Sequence, residues 1–526
     1  MLQPASLFQD PSCFMPNSLI AKYMATRDAA TIAPGFLAYL ANLECVASVA
    51  PDVARSIVQE LADQRHNIKL IASENFSSLA TQCAMANLLT DKYAEGIPHH
   101  RFYAGCDNVD SLEDLANLRA RELFGAAHAY AQPHSGADAN LVAFWAILRA
   151  RVELPKMAEL LGAESPDALV PADWYKLTLD RWNVVRQALG NQRLLGLDLA
   201  SGGHLTHGYR LNSSGKMFEA HGYTVDRQSL LLDYDAIEKQ ALEVKPLILL
   251  AGFSAYSRNI NYARMRAIAD RVGAVLMVDM AHFAGLVAGK VLQGEFNPIP
   301  YAHIATTTTH KTLRGPRGGL VLCTDEFKEH VDRGCPLVLG GPLPHVMAAK
   351  AVAFTEALKP DFVAYAHQIV ANARHLAEAF VREGLHVLTG GTDNHLLVLD
   401  VASTHGITGR QAEDAVRRCG ITLNRNPIPF DPNGPWYTSG LRFGAAAITT
   451  LGMGKTEMDE IASVVAVVLK NIKPGKNKSG SLDKTKYTLD ETVRSVAHGR
   501  VKNLLDSFPV YPEIDLPFLV ESFAKK

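Results

Sequence analysis

Between about residue 110 and residue 350, short apolar runs alternate with helical patterns, and no other feature restricts the chain as much. Candidate strands are 247–251 (LILLA), 274–279 (AVLMVD), 303–308 (HIATTT) and 319–323 (GLVLC). Between the first two, residues 261–271 show helical spacing, with Met265, Ile268 and the adjoining Val272 on one face. This alternation predicts an α/β fold with a mixed, mostly parallel central sheet. In such sheets reactive groups collect at the carboxyl ends of the strands, so the loops that follow them are where chemistry is expected.

The 526 residues leave room for more than one domain. Residues 1–66 read as an N-terminal extension and arm: 1–35 carry Pro4, Pro11, Pro16 and Pro34 with little periodicity, and 50–65 are helical, with Val53, Ile57, Val58 and Leu61 in register. Residues 67–350 form the expected large domain, with a helical insertion at about 151–195. Residues 351–526 form a smaller C-terminal α/β domain, with helices at 361–383, 409–418 and 455–470 and a strand at 395–401. The Gly/Ser/Lys-rich stretch 473–486 predicts a linker. Beyond it, Leu489, Val493, Val496, Val501, Leu504 and Leu505 mark a last helix.

Charge and cysteine content exclude several functions. Lys+Arg (52) nearly balances Asp+Glu (54), which gives no basic surplus for nucleic acid or an anionic membrane. The seven cysteines are scattered and form no CxxC pair, against a disulfide framework or zinc ribbon and in favour of a reducing compartment. No apolar run reaches the ~18–20 residues of a membrane span, and MLQPASLFQDPSCF lacks the pattern of a secretory signal. A cytoplasmic enzyme is expected.

The chemistry concentrates in a few motifs. Thr306-Thr307-Thr308-Thr309-His310-Lys311-Thr312 ends a strand with a lysine, in a Gly/Pro/Arg-rich loop where stability gives no reason for one. A lysine there, partly desolvated and near other cations, suits an amine nucleophile for an aldehyde. Asp279 ends the preceding strand. It is either a helix N-cap or, paired with Lys311, the carboxylate that keeps a pyridine nitrogen protonated in a pyridoxal-phosphate enzyme. Ser135-Gly136 opens an apolar helix and could present backbone N–H groups to a phosphate. In Gly202-Gly203-His204-Leu205-Thr206-His207, the two histidines suggest a metal site, but a flat ligand stacked on His204 is preferred. Gly454-Lys455-Thr456 only mimics the end of a phosphate-binding loop, since Thr449 stands at its first glycine, and His99-His100 reads as a loop.

Taken together, LIASENF (70–76), DKYAEG (91–96), RFYAG (101–105), GGHLTHG (202–208), FSAYS (253–257), VDMAH (278–282), TTTTHKTLRGPRGG (306–319), GGPLPH (340–345) and TSGLRFG (438–444) resemble the serine hydroxymethyltransferase family. The resemblance implies a fold-type I pyridoxal-phosphate enzyme that moves serine's hydroxymethyl carbon reversibly to tetrahydrofolate, giving glycine and 5,10-methylenetetrahydrofolate. It implies a Schiff-base role for Lys311, a pyridine partner in Asp279, and His204 stacked on the ring. Ser254 and His282 match positions beside the cofactor's phenolic oxygen. Ser135, Gly136 and His310 match phosphate contacts, with Gly341 from the partner subunit. Arg442 matches the grip on the substrate carboxylate, Ser73 and Tyr103 positions around the amino acid, and Glu95, beside Tyr93, the acid/base carboxylate. Tyr93, Glu95 and Tyr103 would cross from the second subunit of a homodimer. Gly203, Leu205 and Asn426 match folate contacts.

Some positions depart from the family pattern. Ala137 replaces a serine at the phosphate turn, Ser201 a histidine and Phe102 a tyrosine, and Ala445-Ala446 follow Arg442-Phe443-Gly444. The extension before about residue 36 has no evident counterpart. Two competing readings are a folate-independent β-hydroxy-amino-acid aldolase and a silent binding paralogue; intact Lys311, Asp279 and Arg442 oppose the second.

Overall fold

The computed structural model describes residues 18–477 and 480–524. The chain divides into two compact units: Met1–Ile68 together with Leu505–Lys526, and Lys69–Leu504.

In the first unit, Ser18 caps the helix Leu19–Ala25, and Pro34 and Pro51 each open a longer helix, Pro34–Val49 and Pro51–His66. Proline at a first helical position loses no hydrogen bond, so the prolines that suggested a loose arm are in part helix starts. Residues 1–17 of that arm, with Cys13, lie outside the described residues. Tyr23 meets Phe36 and Phe518 edge-on at 4.8 and 4.9 Å, so residues from both ends of the chain share one small core.

The second unit is built on seven strands: β1 (His128–Tyr130), β2 (Arg193–Leu197), β3 (Glu219–Tyr223), β4 (Ile248–Gly252), β5 (Val275–Asp279), β6 (Ile304–Thr308) and β7 (Gly319–Cys323). Their spatial order is β1-β7-β6-β5-β4-β2-β3, and only β7 runs against its neighbours. The sheet is mixed and mostly parallel, as the alternation predicts. β4 to β7 are buried at every residue, because helices cover both faces.

Strand parity then positions the site. Ile248, Leu250, Val275, Met277, Ile304 and Val321 share one core with Ala139, Val142, Ala143 and Ile147 of the helix Gly136–Leu148. Side chains two apart on a strand share a face. Asp279 (after Val275 and Met277) and Thr306 and Thr308 (after Ile304) are therefore turned toward that helix, at the carboxyl ends of their strands. On the helix, Gly136 and Asn140 are one turn apart and share a face.

Farther along, β8 (Leu396–Asp400), β9 (Asn424–Asn426) and β10 (Gly440–Gly444) make a three-stranded antiparallel sheet with β10 in the middle. The expected linker is instead a hairpin, Lys473–Lys476 with Leu482–Thr488; Lys478 and Ser479 lie outside the described residues. Gln411 Nε2 donates to the carbonyls of Asp483 and Lys486 at 2.8 Å each. These backbone contacts order a stretch whose composition reads as flexible. Gly454 is the N-cap of the helix Lys455–Lys470, its N–H bonded to Glu457 at 2.7 Å. His99, in the left-handed region at φ 63°, forms the turn of a hairpin joining Gly96–Ile97 to His100–Arg101.

Candidate active site

Asp279 and Asn140 meet as parity requires. Asn140 Nδ2 donates to Asp279 Oδ2 at 2.9 Å and to Thr206 Oγ1 at 2.7 Å, while its own Oδ1 accepts from Thr306 Oγ1 at 2.5 Å. His207 Nε2 lies 3.3 Å from the same carboxylate oxygen. Burial alone would raise the carboxyl's proton affinity, but the hydrogen bonds and charges of His207, His204 and Asn140 outweigh it and hold Asp279 well below the usual carboxylate range. Asp279 is 7% exposed and stays anionic. At the sequence level Asn140 carries no expected role, and His207 only the less favoured one of a metal ligand. His207 lies within a quoted motif, and Asn140 is legible only as one turn beyond Gly136.

His204 Nδ1 is fixed by Thr206, whose Oγ1 lies 2.8 Å away and whose N–H donates at 3.2 Å. Burial lowers the imidazole to about 4, so its ring is neutral. His204, His207 and Asp279 have ligand atoms within 4.8 Å of one another, which is within a metal's reach. Asp279 Oδ2, however, already accepts two hydrogen bonds.

Lys311 is 9% exposed, in the loop after β6. Burial drives its amine down to about 8, with Arg442 and Arg317 repelling the charge and Asp279 partly restoring it. Its carbonyl accepts from Asn75 Nδ2 at 2.9 Å, which ties the loop to the segment holding Ser73. Beside it, His282 Nδ1 and His395 Nε2 stand 3.3 Å apart, both buried, with proton affinity pushed down by burial.

Arg442, in the middle of β10, donates from Nε to Asn424 Oδ1 at 3.0 Å and from Nη1 to the Ser254 carbonyl at 2.6 Å. Two of its five donors are thereby committed, and the guanidinium is oriented. Burial lowers it to about 10. Gly444 abuts Ala72 so closely that a Cβ would fall 2.3 Å from its Cα, bringing the 70–76 segment beside this strand.

The Ser135 hydroxyl caps the helix Gly136–Leu148, accepting from the Asp138 N–H at 3.1 Å and donating to Asp138 Oδ2 at 3.0 Å. A Cβ on Gly136 would come within 2.6 Å of the Thr308 methyl, so only glycine lets the helix start sit on the sheet. His310, in the same loop as Lys311, is lowered to about 3 chiefly by burial, and its Nδ1 is buried without a partner. A helix N-terminus, a neutral imidazole with a spare nitrogen, a half-neutral amine and a fixed carboxylate suit a phosphorylated aldehyde carrying a basic ring nitrogen.

Of the remaining expected residues, Tyr93, Tyr103 and Gly341 come together. Gly203 packs so tightly that a Cβ would fall 2.0 Å from the Leu197 carbonyl oxygen; Leu205 is exposed, and Asn426 Nδ2 donates to the Pro427 carbonyl at 2.7 Å. Tyr93 and Tyr103 meet edge-on at 5.0 Å, and the Glu95 carboxylate raises the Tyr93 phenol. Gly341 abuts the Tyr93 ring, and its carbonyl lies 3.2 Å from His134 Nε2. The two tyrosines are 55% and 50% exposed, unlike the Lys311 pocket.

A mixed sheet with lysine, aspartate and a serine-capped helix start at its strand ends defines an α/β enzyme of the fold-type I pyridoxal-phosphate class. The family model described as serine hydroxymethyltransferase matches residues 46–161 and 183–465. Relatives bearing that name include one from Treponema pallidum (strain Nichols), 58% identical over 97% of this chain and 88% of its own length. Another, from Salinispora tropica, is 56% identical over 91% and 98%, and one from Mycolicibacterium smegmatis is 54% identical over 91% and 95%. The chain belongs to the serine hydroxymethyltransferase family and is a one-carbon transferase. The Treponema match leaves only about 3% of the chain uncovered, so much of the N-terminal extension has a counterpart after all.

Proposed function

We propose that this protein transfers the hydroxymethyl carbon of serine reversibly to tetrahydrofolate, giving glycine and 5,10-methylenetetrahydrofolate. The reading includes a cofactor-binding part over 67–350 and a smaller part from 351. Its principal support is a buried Lys311 within the electrostatic reach of an Asp279 that is already ionised and oriented. Pyridoxal phosphate, when bound, supplies an electron-withdrawing ring conjugated with the substrate's Cα.

The chain's own groups do the rest. Lys311 offers an amine that is substantially neutral near pH 8. Asp279 would hold the ring nitrogen's proton, with Asn140 and His207 keeping the carboxylate in place. His204 would cover the ring's face, and Ser254 and His282 would flank its phenolic oxygen. Ser135, Gly136 and His310 would receive the phosphate. Arg442 would grip the substrate carboxylate with the donors left free by Asn424 and Ser254, fixing which bond at Cα stands across the ring plane. Ser73 and Tyr103 would line the amino acid, and Gly203, Leu205 and Asn426 the folate.

Glu95 would move the proton at the hydroxymethyl oxygen, with Tyr93 beside it. With Tyr93 and Tyr103 exposed and Glu95 half-buried in a single chain, the three would serve the site of a second copy, and Gly341 would complete the partner's phosphate site. The homodimer is part of this reading. The cytoplasm is the compartment it implies, supported by six unpaired cysteines among the described residues and by the lack, among those residues, of a helix long and apolar enough to cross a membrane.

The test is glycine formation from serine with and without tetrahydrofolate. Glycine and methylenetetrahydrofolate should appear in equal amounts, and only when folate is present. Equal serine cleavage without folate would give the protein to the aldolase reading.

A further inference from the structure

Lys350, on the helix Pro344–Ala357, is 1% exposed. Its ammonium donates to the carbonyls of Ala131 at 2.6 Å, Pro133 at 2.9 Å and Gly319 at 2.8 Å. An ammonium has three donors, and all three end on backbone oxygen. Burial pushes the amine down to about 7, partly offset by the more distant carboxylates of Glu113 and Asp138. A buried cation is costly to desolvate, and this one makes its hydrogen bonds to three backbone carbonyls of a single region.

The three carbonyls share one location. Ala131 and Pro133 lead directly into the Ser135–Gly136 helix start, and Gly319 opens β7 beside them. The Gly319 N–H returns a hydrogen bond to the Pro133 carbonyl at 2.9 Å. A Cβ on Gly319 would fall 2.2 Å from the Ser135 carbonyl oxygen, so this backbone is packed without slack. In a planar trans peptide the N–H points opposite to the carbonyl, so with the Pro133 carbonyl turned onto Lys350 the His134 N–H, at the entry to the turn, faces away from the ammonium.

We propose that Lys350 is a positioning residue for the phosphate subsite: its ammonium clamps the three carbonyls that set the direction of the Ser135–Gly136 turn, and so fixes the donors that a phosphate dianion meets. The inference rests on the cofactor reading above. It extends that reading to a residue that touches neither cofactor nor substrate.

The experiment titrates cofactor-free full-length protein with pyridoxal phosphate and, separately, with pyridoxal, which has the aldehyde and ring but no phosphate. Wild type, Lys350→Met and Lys350→Gln are compared. Lys350→Met should weaken pyridoxal phosphate binding about tenfold or more while pyridoxal changes by less than about twofold, with Lys350→Gln between wild type and Met. Equal loss for both ligands, or no loss for either, would overturn the proposal, because a purely structural lysine does not distinguish them. Failure of both variants to fold would overturn it too, making Lys350 a general folding residue. A wild-type protein that binds both ligands equally would instead defeat the cofactor reading itself, leaving no phosphate turn to position.

Discussion

The pocket around Lys311 and the loop carrying Tyr93, Glu95 and Tyr103 solve opposite problems. In the pocket, Asp279, His204 and Arg442 are each held by partners before any ligand arrives. The loop has a rigid base and an open tip. Arg101 donates to Asp110 at 2.8 Å, to Glu113 at 2.6 Å and to the carbonyls of Ala94 and Gly96, and Gln132 bridges Glu113 and Gly96 at 2.8 Å each. Above that buried frame the two tyrosine rings face solvent. In the proposed reading, a single chain would carry most of the groups that act on the cofactor and would leave to its partner those that act on the departing carbon. Preorganisation can be built within one chain or deferred to assembly, and the proposed homodimer would do both.

Removing the pocket's amine should have the largest effect. Lys311→Ala is expected to lower serine turnover by about a thousandfold or more, and borohydride trapping followed by peptide mapping should lose its pyridoxyl label. A label on another lysine in the wild type would break the contrast at once.

The loop should show its different character by complementation. Glu95→Gln alone is expected to cut activity about a hundredfold or more. Mixed with Lys311→Ala and allowed to exchange subunits, it should recover about a quarter of wild-type activity, because half the dimers are mixed and each then holds one intact site. No recovery would mean that Glu95 acts within its own chain.

Arg442→Lys should raise the serine KM and lower kcat together, about ten- to a hundredfold in kcat/KM, since a point ammonium cannot reproduce a fork held by Asn424 and Ser254. Capture of pyridoxal phosphate by cofactor-free protein should slow about tenfold per pH unit below pH 8, because the neutral amine is the nucleophile and Lys311 titrates near 8. An inflection near 10.5 would show a solvated lysine instead.

The smallest change is expected at Ala137→Ser. Ala137 is exposed at the helix start, and the neighbouring Ser135 hydroxyl is already engaged with Asp138. One added donor should tighten pyridoxal phosphate binding only a few-fold, with kcat at saturating cofactor unchanged. Equal or weaker binding would show that the phosphate lacks nothing there.

What was legible in the sequence follows from what each signal depends on. Strands β4 to β7 are continuous apolar or threonine runs, and their pattern survives in one dimension; Asp279 and Lys311 stand out because they interrupt it. Asn140, His207 and Lys350 do not. Each matters through a partner far along the chain, 139 residues away for Asn140 and Asp279, and spacing carries no trace of that. The 473–486 stretch misled because its order comes from backbone bonds to Gln411 and from Thr408 Oγ1 on the Lys484 carbonyl at 2.8 Å, neither of which needs apolar residues. Pro34 misled because proline breaks a helix only inside it, and here it stands at the start.

The glycine packing described around the pocket bears on how this protein can change. Gly136, Gly203 and Gly444 leave no room for a single methyl, and none of them belongs to a reacting group. A saturation scan would therefore draw the pocket in outline, as a rim of intolerant positions behind the residues that do the chemistry. Leu205 and the rings of Tyr93 and Tyr103 stand outside that rim with space around them. New substrate preferences should accordingly arise at the open tip and the exposed leucine, while the pocket's walls remain nearly fixed.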